Sequence, residues 1–375
     1  MRLILGFLIL VLGLFSCKKE DPKLPELPNT SSAFYLEDLL KSWSGSIIVP
    51  NYENYNTDAA DLKSAASAFQ SDVSASNLEI LRAKWKVAYL SWQTVSMYEF
   101  GPAANITLRG ETNIYPLDTA ELNGLVRAGS TNIAGANRLD VKGFPAIDYL
   151  INSGSIESVL SAFTDASSGS NRLGYLLEVA TQIANNASSV SAKWSSAGSN
   201  YVSQFNSAIG TDVGSSLGLT INALNQHIER FLRDGKLGIP NGNRNFSGTA
   251  LPNHVEAFYN GESSNELALQ NVIAIQSLYL GNSADGTDGI GLDDYLVSLN
   301  ATYNSGSLND AIKNQFLMCI ETIEVLPKPL KDNLVSNKTK VDDAVKALQK
   351  LVVLLKVDVP SATGILITYQ DNDGD

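Results

Sequence analysis

The sequence predicts an all-α protein made of packed helical bundles. Three observations favour this class. Apolar residues recur at spacings of three and four along several segments, strand signals are few, and clusters of Ser, Gly and Asn separate the helical segments. The chain has 375 residues, of which 44% are hydrophobic, so it has enough apolar material for one large core or two adjoining cores.

The N-terminus predicts export and lipid anchoring. Arg2 gives a positive start, and residues 3–15 form an apolar run too short to span a bilayer comfortably. The run ends in Leu-Phe-Ser-Cys, which looks like the lipobox of bacterial lipoproteins. We therefore expect a signal peptide over residues 1–16 and a lipidated Cys17 that anchors the protein in a lipid bilayer. Residues 17–32, which contain several prolines, would then form a tether.

Four segments show clear helical periodicity. The first has its apolar stripe over residues 78–95. It starts at a capping-box pattern over residues 76–79 and is expected to end near residues 100–102. The stripe over residues 217–231 predicts a helix that closes before Asp234 and Gly235. The remaining two cover residues 309–323, ending before Pro327, and residues 341–355.

Weaker patterns complete the helical prediction. Less regular helices are expected over residues 58–73, 173–187, 194–208 and 264–280. Residues 364–369 carry the best strand signal, and residues 47–49 carry a very short one. The polar clusters over residues 152–171, 186–200 and 281–289 predict loops between helices.

Charge and cysteine content exclude some functions. The formal net charge is −12, which argues against a nucleic-acid partner and is compatible with cation binding. Apart from Cys17, the only cysteine is Cys319, in an apolar run, and we expect it to be a small buried hydrophobe. Of the two histidines, His227 lies beside a helical stripe and is expected at the edge of the core.

Several short segments, taken in their order and spacing, carry a family resemblance. They are Trp85 and Trp92 followed by Phe100-Gly101-Pro102; Tyr115-Pro116-Leu117-Asp118; Gly143 to Asp148 leading into Tyr149-Leu150; Lys236-Leu237-Gly238; Val255-Glu256 before Asn260-Gly261-Glu262-Ser263; Gly289 to Asp294; and the ending Asp371 to Asp375. Through most of its length after the signal peptide, the chain resembles the imelysin family of bacterial envelope proteins.

The resemblance implies an architecture and a biological setting. It implies two helical-bundle domains packed together with a functional cleft between them, which we place at residues 33–190 and 191–375. Family members are exported, often lipid-anchored, and linked to iron uptake. The archetype was described as a metallopeptidase, and relatives serve as periplasmic partners of iron transporters.

The family signature, Gly-x-His-x-x-Glu, is altered in this chain. Its positions fall on Gly143, Pro145 and Asp148, so the histidine is replaced by proline and the glutamate by the shorter aspartate. A proline side chain has no donor atom and can neither bind a metal nor move a proton. Asp148 is either a cap at the start of its helix or the remaining acid of a site.

Four acids in family-like segments could form an oxygen-ligand set for a cation. They are Glu99, Asp118, Asp148 and Glu256, of which Glu256 matches a glutamate that is usual in the family. Oxygen ligands favour calcium, magnesium, manganese or ferric iron over zinc, and His254 is a further candidate ligand. Each acid taken singly is better explained as a helix cap or a solvent-facing charge than as a ligand.

The sequence supports one leading function and two alternatives. The leading hypothesis is a lipoprotein of the cell envelope, on either face of the outer membrane, that assists iron or haem acquisition without peptidase activity. Iron or another cation is the expected cofactor, and an outer-membrane iron or haem receptor is the expected partner. One alternative is a metallopeptidase that uses His254, Glu256 and Asp148. The other is a module that binds a receptor without any metal.

Overall fold

The structure of the protein is a computed structural model that describes residues 31–369, with side chains from residue 36 onward. The expected signal peptide over residues 1–16, the lipidated Cys17, nearly all of the tether and the acidic ending over residues 371–375 lie outside the described residues. Between residues 31 and 369, no helix combines the length and the apolar character that a membrane span requires.

The described chain is mostly helical, which confirms the all-α class. The α-helices in chain order are α1 Ser31–Ser42, α2 Val49–Ser71, α3 Ala75–Val95, α4 Leu108–Thr112, α5 Thr119–Arg127, α6 Gly143–Asn152, α7 Ile156–Thr164, α8 Gly169–Trp194, α9 Tyr201–Ser207, α10 Ser216–Gln226, α11 Ser264–Leu280, α12 Leu292–Ser298, α13 Leu308–Glu324, α14 Leu330–Asn333, α15 Lys338–Val353 and α16 Val359–Thr363.

Other helical turns and one small hairpin complete the secondary structure. Within residues 31–369 the strands are β1 Thr302–Tyr303 and β2 Gly306–Ser307, an antiparallel pair in which Thr302 lies opposite Ser307. A long π-helical stretch follows α10. Such turns, which are wider than those of an α-helix, are frequent at functional sites. The π-helical stretches are Trp43–Ile48, His227–Gly238 and Leu354–Asp358, and the 3₁₀ turns are Ala104–Ile106, Ala136–Val141 and Pro252–His254.

The four clearly periodic segments all form helices, but three of their predicted ends are wrong. Helix α3 ends at Val95 rather than near residues 100–102. The N-cap of α3 is Ser74, whose hydroxyl accepts a hydrogen bond from the Asn77 backbone N–H, so the capping box predicted two residues later lies inside the helix. The helix that was expected to close before Asp234 continues as a π-helix to Gly238. Buried side chains such as Leu232 and Leu237 hold this stretch against its neighbours and override the local stop signal.

The weaker predictions are partly wrong. The predicted helix over residues 264–280 coincides with α11, and the loop over residues 281–289 is confirmed. In contrast, α7 forms inside the predicted loop over residues 152–171. Three further predicted bounds are wrong. Helix α2 begins at Val49 rather than at residue 58, and α8 extends to Trp194 through part of the loop predicted over residues 186–200. Within the helix predicted over residues 194–208, only the short α9 forms after the end of α8.

Neither predicted strand forms. Residues 47–49 belong to the helical turns that join α1 to α2. Residues 364–369 lack regular structure, because the Asn222 side chain, rather than a neighbouring strand, accepts the backbone N–H of Thr368 at 2.7 Å. An alternating apolar pattern needs a partner strand to become a sheet, and the described part of the chain offers none there.

The first group of packed helices places the signature segment. The long helix α2 packs on both α3 and α8, and α6 packs against α3 and α8. The buried Trp85 indole donates to the Phe144 carbonyl oxygen at 3.2 Å, and the Tyr89 ring stacks on Phe144 with centroids 4.4 Å apart. Such an aromatic pair contributes about 0.5–1.5 kcal/mol beyond its buried area. The tryptophan stripe of α3 therefore fixes the start of α6.

A second group of helices lies in the C-terminal part of the chain. Helix α13 packs on α15, α15 packs on the π-helical stretch after α10, and α11 contacts both α13 and α3. Cys319 of α13 is fully buried, which confirms its prediction as a core residue. The predicted domain boundary at residue 190 falls within the continuous α8, and the division into two domains stays a prediction.

Candidate functional site

The first signature position, Gly143, docks α6 against the end of α4. Gly143 has φ +72°, and a Cβ atom on it would lie 2.1 Å from the Thr112 carbonyl oxygen. A side chain would be strained by this backbone conformation and would collide with Thr112, so glycine is required. The glycine of the signature therefore has a structural role that needs no ligand.

Pro145, at the histidine position, lies in the wall of a small pocket that also contains Asp148. The pocket has a volume of about 200 Å³. Asp148 is the one charged residue in its wall, and Pro145 adds only apolar surface. We call this the signature pocket; it is lined by Tyr115, Pro116, Leu117, Thr119, Pro145, Asp148, Asn253, Val255, Ala257, Phe258 and Tyr259.

Asp148 is buried and binds the backbone of a distant segment. Its two carboxylate oxygens accept the backbone N–H groups of Tyr259 and Asn260, each at 2.9 Å, and Asn152 donates a third hydrogen bond at 3.0 Å. Burial raises the pKa of Asp148 to about 6, although the three hydrogen bonds oppose the shift. Asp148 is the sixth residue of α6, so the interpretation as a cap of its own helix start is wrong.

Glu256 forms a buried ion pair with Lys236. The Lys236 ammonium donates to the Glu256 carboxylate and to the Gln93 side-chain oxygen at 2.9 Å, and the Asn113 amide donates to the other Glu256 oxygen at 2.7 Å. Lys236 and Glu256 are 5% and 1% exposed. Burial lowers the pKa of Lys236, and the Glu256 carboxylate opposes that shift. The glutamate typical of the family is therefore already neutralised by a lysine of the same chain.

The other predicted ligands have local partners. Glu99 accepts the backbone N–H of Arg109 at the start of α4, at 3.2 and 3.4 Å, and burial raises the pKa of Glu99. Asp118 is exposed and caps α5 by accepting the backbone N–H of Glu121 at 2.9 Å. His254 is half-buried at the end of a 3₁₀ turn.

The structure does not bring the predicted ligands together as a set. Among residues 31–369, no group of three or more His, Cys, Asp or Glu side chains is placed to hold a metal ion. Asp148 is held by backbone N–H groups, and an ammonium group stands at Glu256, where a cation would have to displace it. These residues fit a directly bound iron ion poorly, and metal binding by them stays a prediction.

A second pocket shares Tyr115 with the signature pocket and was not predicted. Its volume is 190 Å³. His227 in its wall is only 2% exposed and is hydrogen-bonded to Asn271, so it lies inside the core rather than at its edge. We call this the basic pocket; it is lined by Trp92, Gln93, Ser96, Arg109, Asn113, Ile114, Tyr115, His227, Arg230, Phe231, Gly235, Lys236 and Ile239.

Comparison with known proteins identifies the family. The family model described as imelysin, Peptidase M75, matches residues 48–357. The chain belongs to the imelysin family. It is 25% identical over 321 residues to Iron-regulated protein A of Synechococcus elongatus, covering 83% of this chain and 82% of that protein. The recognition made from the ordered motifs of the sequence is thereby confirmed.

Two solved structures share the imelysin fold with this chain. A candidate iron-regulated protein A precursor from Parabacteroides distasonis superposes with a TM-score of 0.73 at 17% identity, covering 90% of this chain and 97% of that one. An imelysin-like protein from Psychrobacter arcticum gives a TM-score of 0.66 at 16% identity, covering 90% and 98%. At these identities the likeness shows the fold alone.

Proposed function

We propose that this imelysin is an envelope-anchored lipoprotein that assists iron or haem acquisition by binding a ligand, without cleaving peptide bonds. The observation that carries the proposal is Pro145 in the wall of the signature pocket, where the family signature has a histidine. Without a donor atom at that position, the pocket loses the zinc ligand or proton-transfer group that the histidine of the signature would supply. The relative named Iron-regulated protein A supports a role in iron metabolism.

The remaining acids of the signature region support binding over catalysis. A peptidase built on Asp148, Glu256 and His254 would need free carboxylates for a metal or as a general base. Asp148 instead accepts two backbone N–H groups, and Glu256 is paired with Lys236. Both acids are therefore bound by groups of the same chain in the arrangement that the structure has.

The proposed ligand site is a cleft between two bundle domains. Residues from both predicted halves line the two pockets: residues 92–148 come from the first half, and residues 227–259 come from the second. This distribution supports a cleft at the join of the halves. The ligand would be an iron chelate or part of a receptor, because the described carboxylates suit a bare ion poorly.

Iron uptake by a strain that lacks the gene tests the proposal. Under iron limitation, uptake of labelled iron from a ferric chelate or from haem should fall in the deletion strain and recover with the wild-type gene. A Cys17→Ala variant should remain unanchored in cell fractions and should restore uptake less well. Unchanged uptake in the deletion strain with both iron sources would contradict the proposed role.

Two assays on the purified mature protein separate the proposal from the metallopeptidase alternative. Peptide hydrolysis should stay at background with zinc, ferrous or ferric ions, whereas metal-dependent cleavage abolished by Glu256→Gln would establish the peptidase. Calorimetry with the same ions and with calcium tests the predicted carboxylate site. If Asp148→Asn and Glu256→Gln leave a measured metal affinity unchanged, those carboxylates are not the ligands.

A further inference from the structure

The basic pocket holds an excess of positive charge in an acidic protein. Three cationic side chains, Arg109, Arg230 and Lys236, contribute to its wall, and no aspartate or glutamate does, although the chain carries a net charge of −12. The charge of Lys236 is balanced by its ion pair with Glu256. Within residues 36–369, neither arginine has a carboxylate at ion-pair distance. Glu99, which accepts the Arg109 backbone N–H, is a nearby negative charge. Among the described residues, neither guanidinium group is itself bound by a carboxylate.

Arg109 is buried and held in a fixed position. Its Nη2 donates to the Ser96 carbonyl oxygen at 2.8 Å, and the guanidinium lies 3.9 Å from the centre of the Phe231 ring. The residue is 8% exposed, and its Nε has no hydrogen-bond partner in the described part of the chain. A buried donor without a partner costs about 1–3 kcal/mol.

His227 positions Arg109 without adding charge. Asn271 uses its amide NH₂ to donate to the Gln93 carbonyl oxygen and the Ser96 hydroxyl, so its Oδ1 must accept from His227 Nε2, at 2.8 Å. Nδ1 of His227 is then left as an acceptor facing Arg109 Nη2 at 3.4 Å. Burial and the nearby Arg109 charge lower the pKa of His227, so the ring stays neutral.

The rest of the wall is apolar and aromatic. Trp92 and Ile114 lie beside the half-buried Phe231 and Ile239, while Arg230 is half-buried at the rim, where its Nε donates to the Tyr369 hydroxyl at 2.6 Å. The pocket volume of 190 Å³ limits the ligand. A cavity of about 150 Å³ in another protein holds benzene, so there is room for one ring and a carboxylate group.

We propose that the basic pocket binds a small aromatic carboxylate. The carboxylate group lies between Arg109 and Arg230, whose planar guanidinium groups match its geometry. The ring lies against Trp92 and Phe231. The site is distinct from the signature pocket, and the inference does not depend on the role in iron acquisition.

Calorimetric titration of the mature protein with benzoate tests this site. One benzoate should bind per chain, and benzamide, which has the same shape without the charge, should bind at least about tenfold more weakly, because it loses charge-assisted hydrogen bonds. Acetate should also bind more weakly because it lacks the ring. No binding at millimolar benzoate, or equal binding of benzoate and benzamide, would overturn the proposal.

Matched arginine variants locate the bound carboxylate. Arg230→Gln and Arg109→Gln should each weaken benzoate binding by at least about tenfold, while Arg127→Gln, which removes an exposed charge from α5, should leave the affinity unchanged. Circular dichroism checks that each variant is folded. Because Arg109 is buried, Arg230→Gln decides the question if Arg109→Gln does not fold. Equal loss in Arg127→Gln, or no loss in a folded Arg230→Gln, would place benzoate elsewhere.

Discussion

The signature pocket and the basic pocket share Tyr115 in their walls but differ in charge. The one charged residue of the signature pocket is Asp148, whose carboxylate is satisfied by backbone N–H groups. The basic pocket has two guanidinium groups with no carboxylate partner among the described residues. The acid of the family motif is thus bound by the backbone of the same chain, whereas both guanidinium groups belong to residues outside the motif.

Breaking the buried Lys236–Glu256 ion pair should lower the stability of the protein more than the other changes predicted below. Lys236 also belongs to the wall of the basic pocket. We expect Lys236→Met to cost about 3–5 kcal/mol in the free energy of unfolding, because it leaves a buried carboxylate without its counter-charge. Urea denaturation of the wild type and the variant measures the difference.

The double variant Lys236→Met with Glu256→Gln is the matched control. It should recover most of the lost stability, since the neutral amide still accepts from Asn113 and can donate to the Gln93 oxygen that Lys236 leaves free. If Lys236→Met alone costs less than about 1 kcal/mol, the pair behaves as a solvated surface ion pair rather than a buried one.

Local sequence patterns predicted the helices better than the contacts between them. The stripe of α3 and the extent of α11 follow from apolar spacing, because each helix buries one face. Helix α7 lies in a Ser- and Gly-rich stretch and buries only Val159 and Phe163, too few residues for its periodicity to stand out. The π-helical stretch after α10 is held by distant neighbours, which no local pattern encodes.

The sequence predicts which acids lie near the signature segment but not which groups they bind. Asp148 and Glu256 were chosen as candidate ligands, and both are buried at the site. What they bind, the backbone N–H of Tyr259 and the ammonium of Lys236, depends on the packing of segments that are far apart or irregular. The position of Arg109 in a pocket wall was not predicted, because a single arginine in a short helix belongs to no sequence pattern. Only the fold brings it next to Phe231.

The titration of Asp148 offers a second, smaller test of the signature pocket. Its pKa is about 6 in the folded protein, against an ordinary value of 3.8. Between these values the folded state binds more protons than the unfolded state, so stability from this group is greatest below pH 3.8 and is lost as pH rises to 6. A difference of about two pKa units corresponds to at most about 3 kcal/mol.

Comparing the stability of the wild type with that of the Asp148→Asn variant isolates the effect of Asp148 protonation. Unfolding free energies of both proteins should be measured between pH 4 and pH 7, so that all other groups cancel in the difference. The wild type should lose stability relative to the variant as pH rises through this range, and the difference should level off above the folded pKa. Parallel curves would mean that Asp148 does not titrate in this window, and that its carboxylate is better stabilised by Tyr259 and Asn260 than its burial suggests.

The smallest expected effect is at Asp118, which lies beside the signature pocket but outside its wall. Asp118→Ala should lower the free energy of unfolding by about 1 kcal/mol, because α5 loses the side chain that accepts the Glu121 backbone N–H. Asp118→Asn, which keeps an accepting oxygen, should cost only a few tenths. Neither change should alter benzoate or metal affinity. A loss of metal affinity in both variants, without a matching loss of stability, would instead show that Asp118 is a metal ligand. The signature region would then be a metal site, as the family motif suggests.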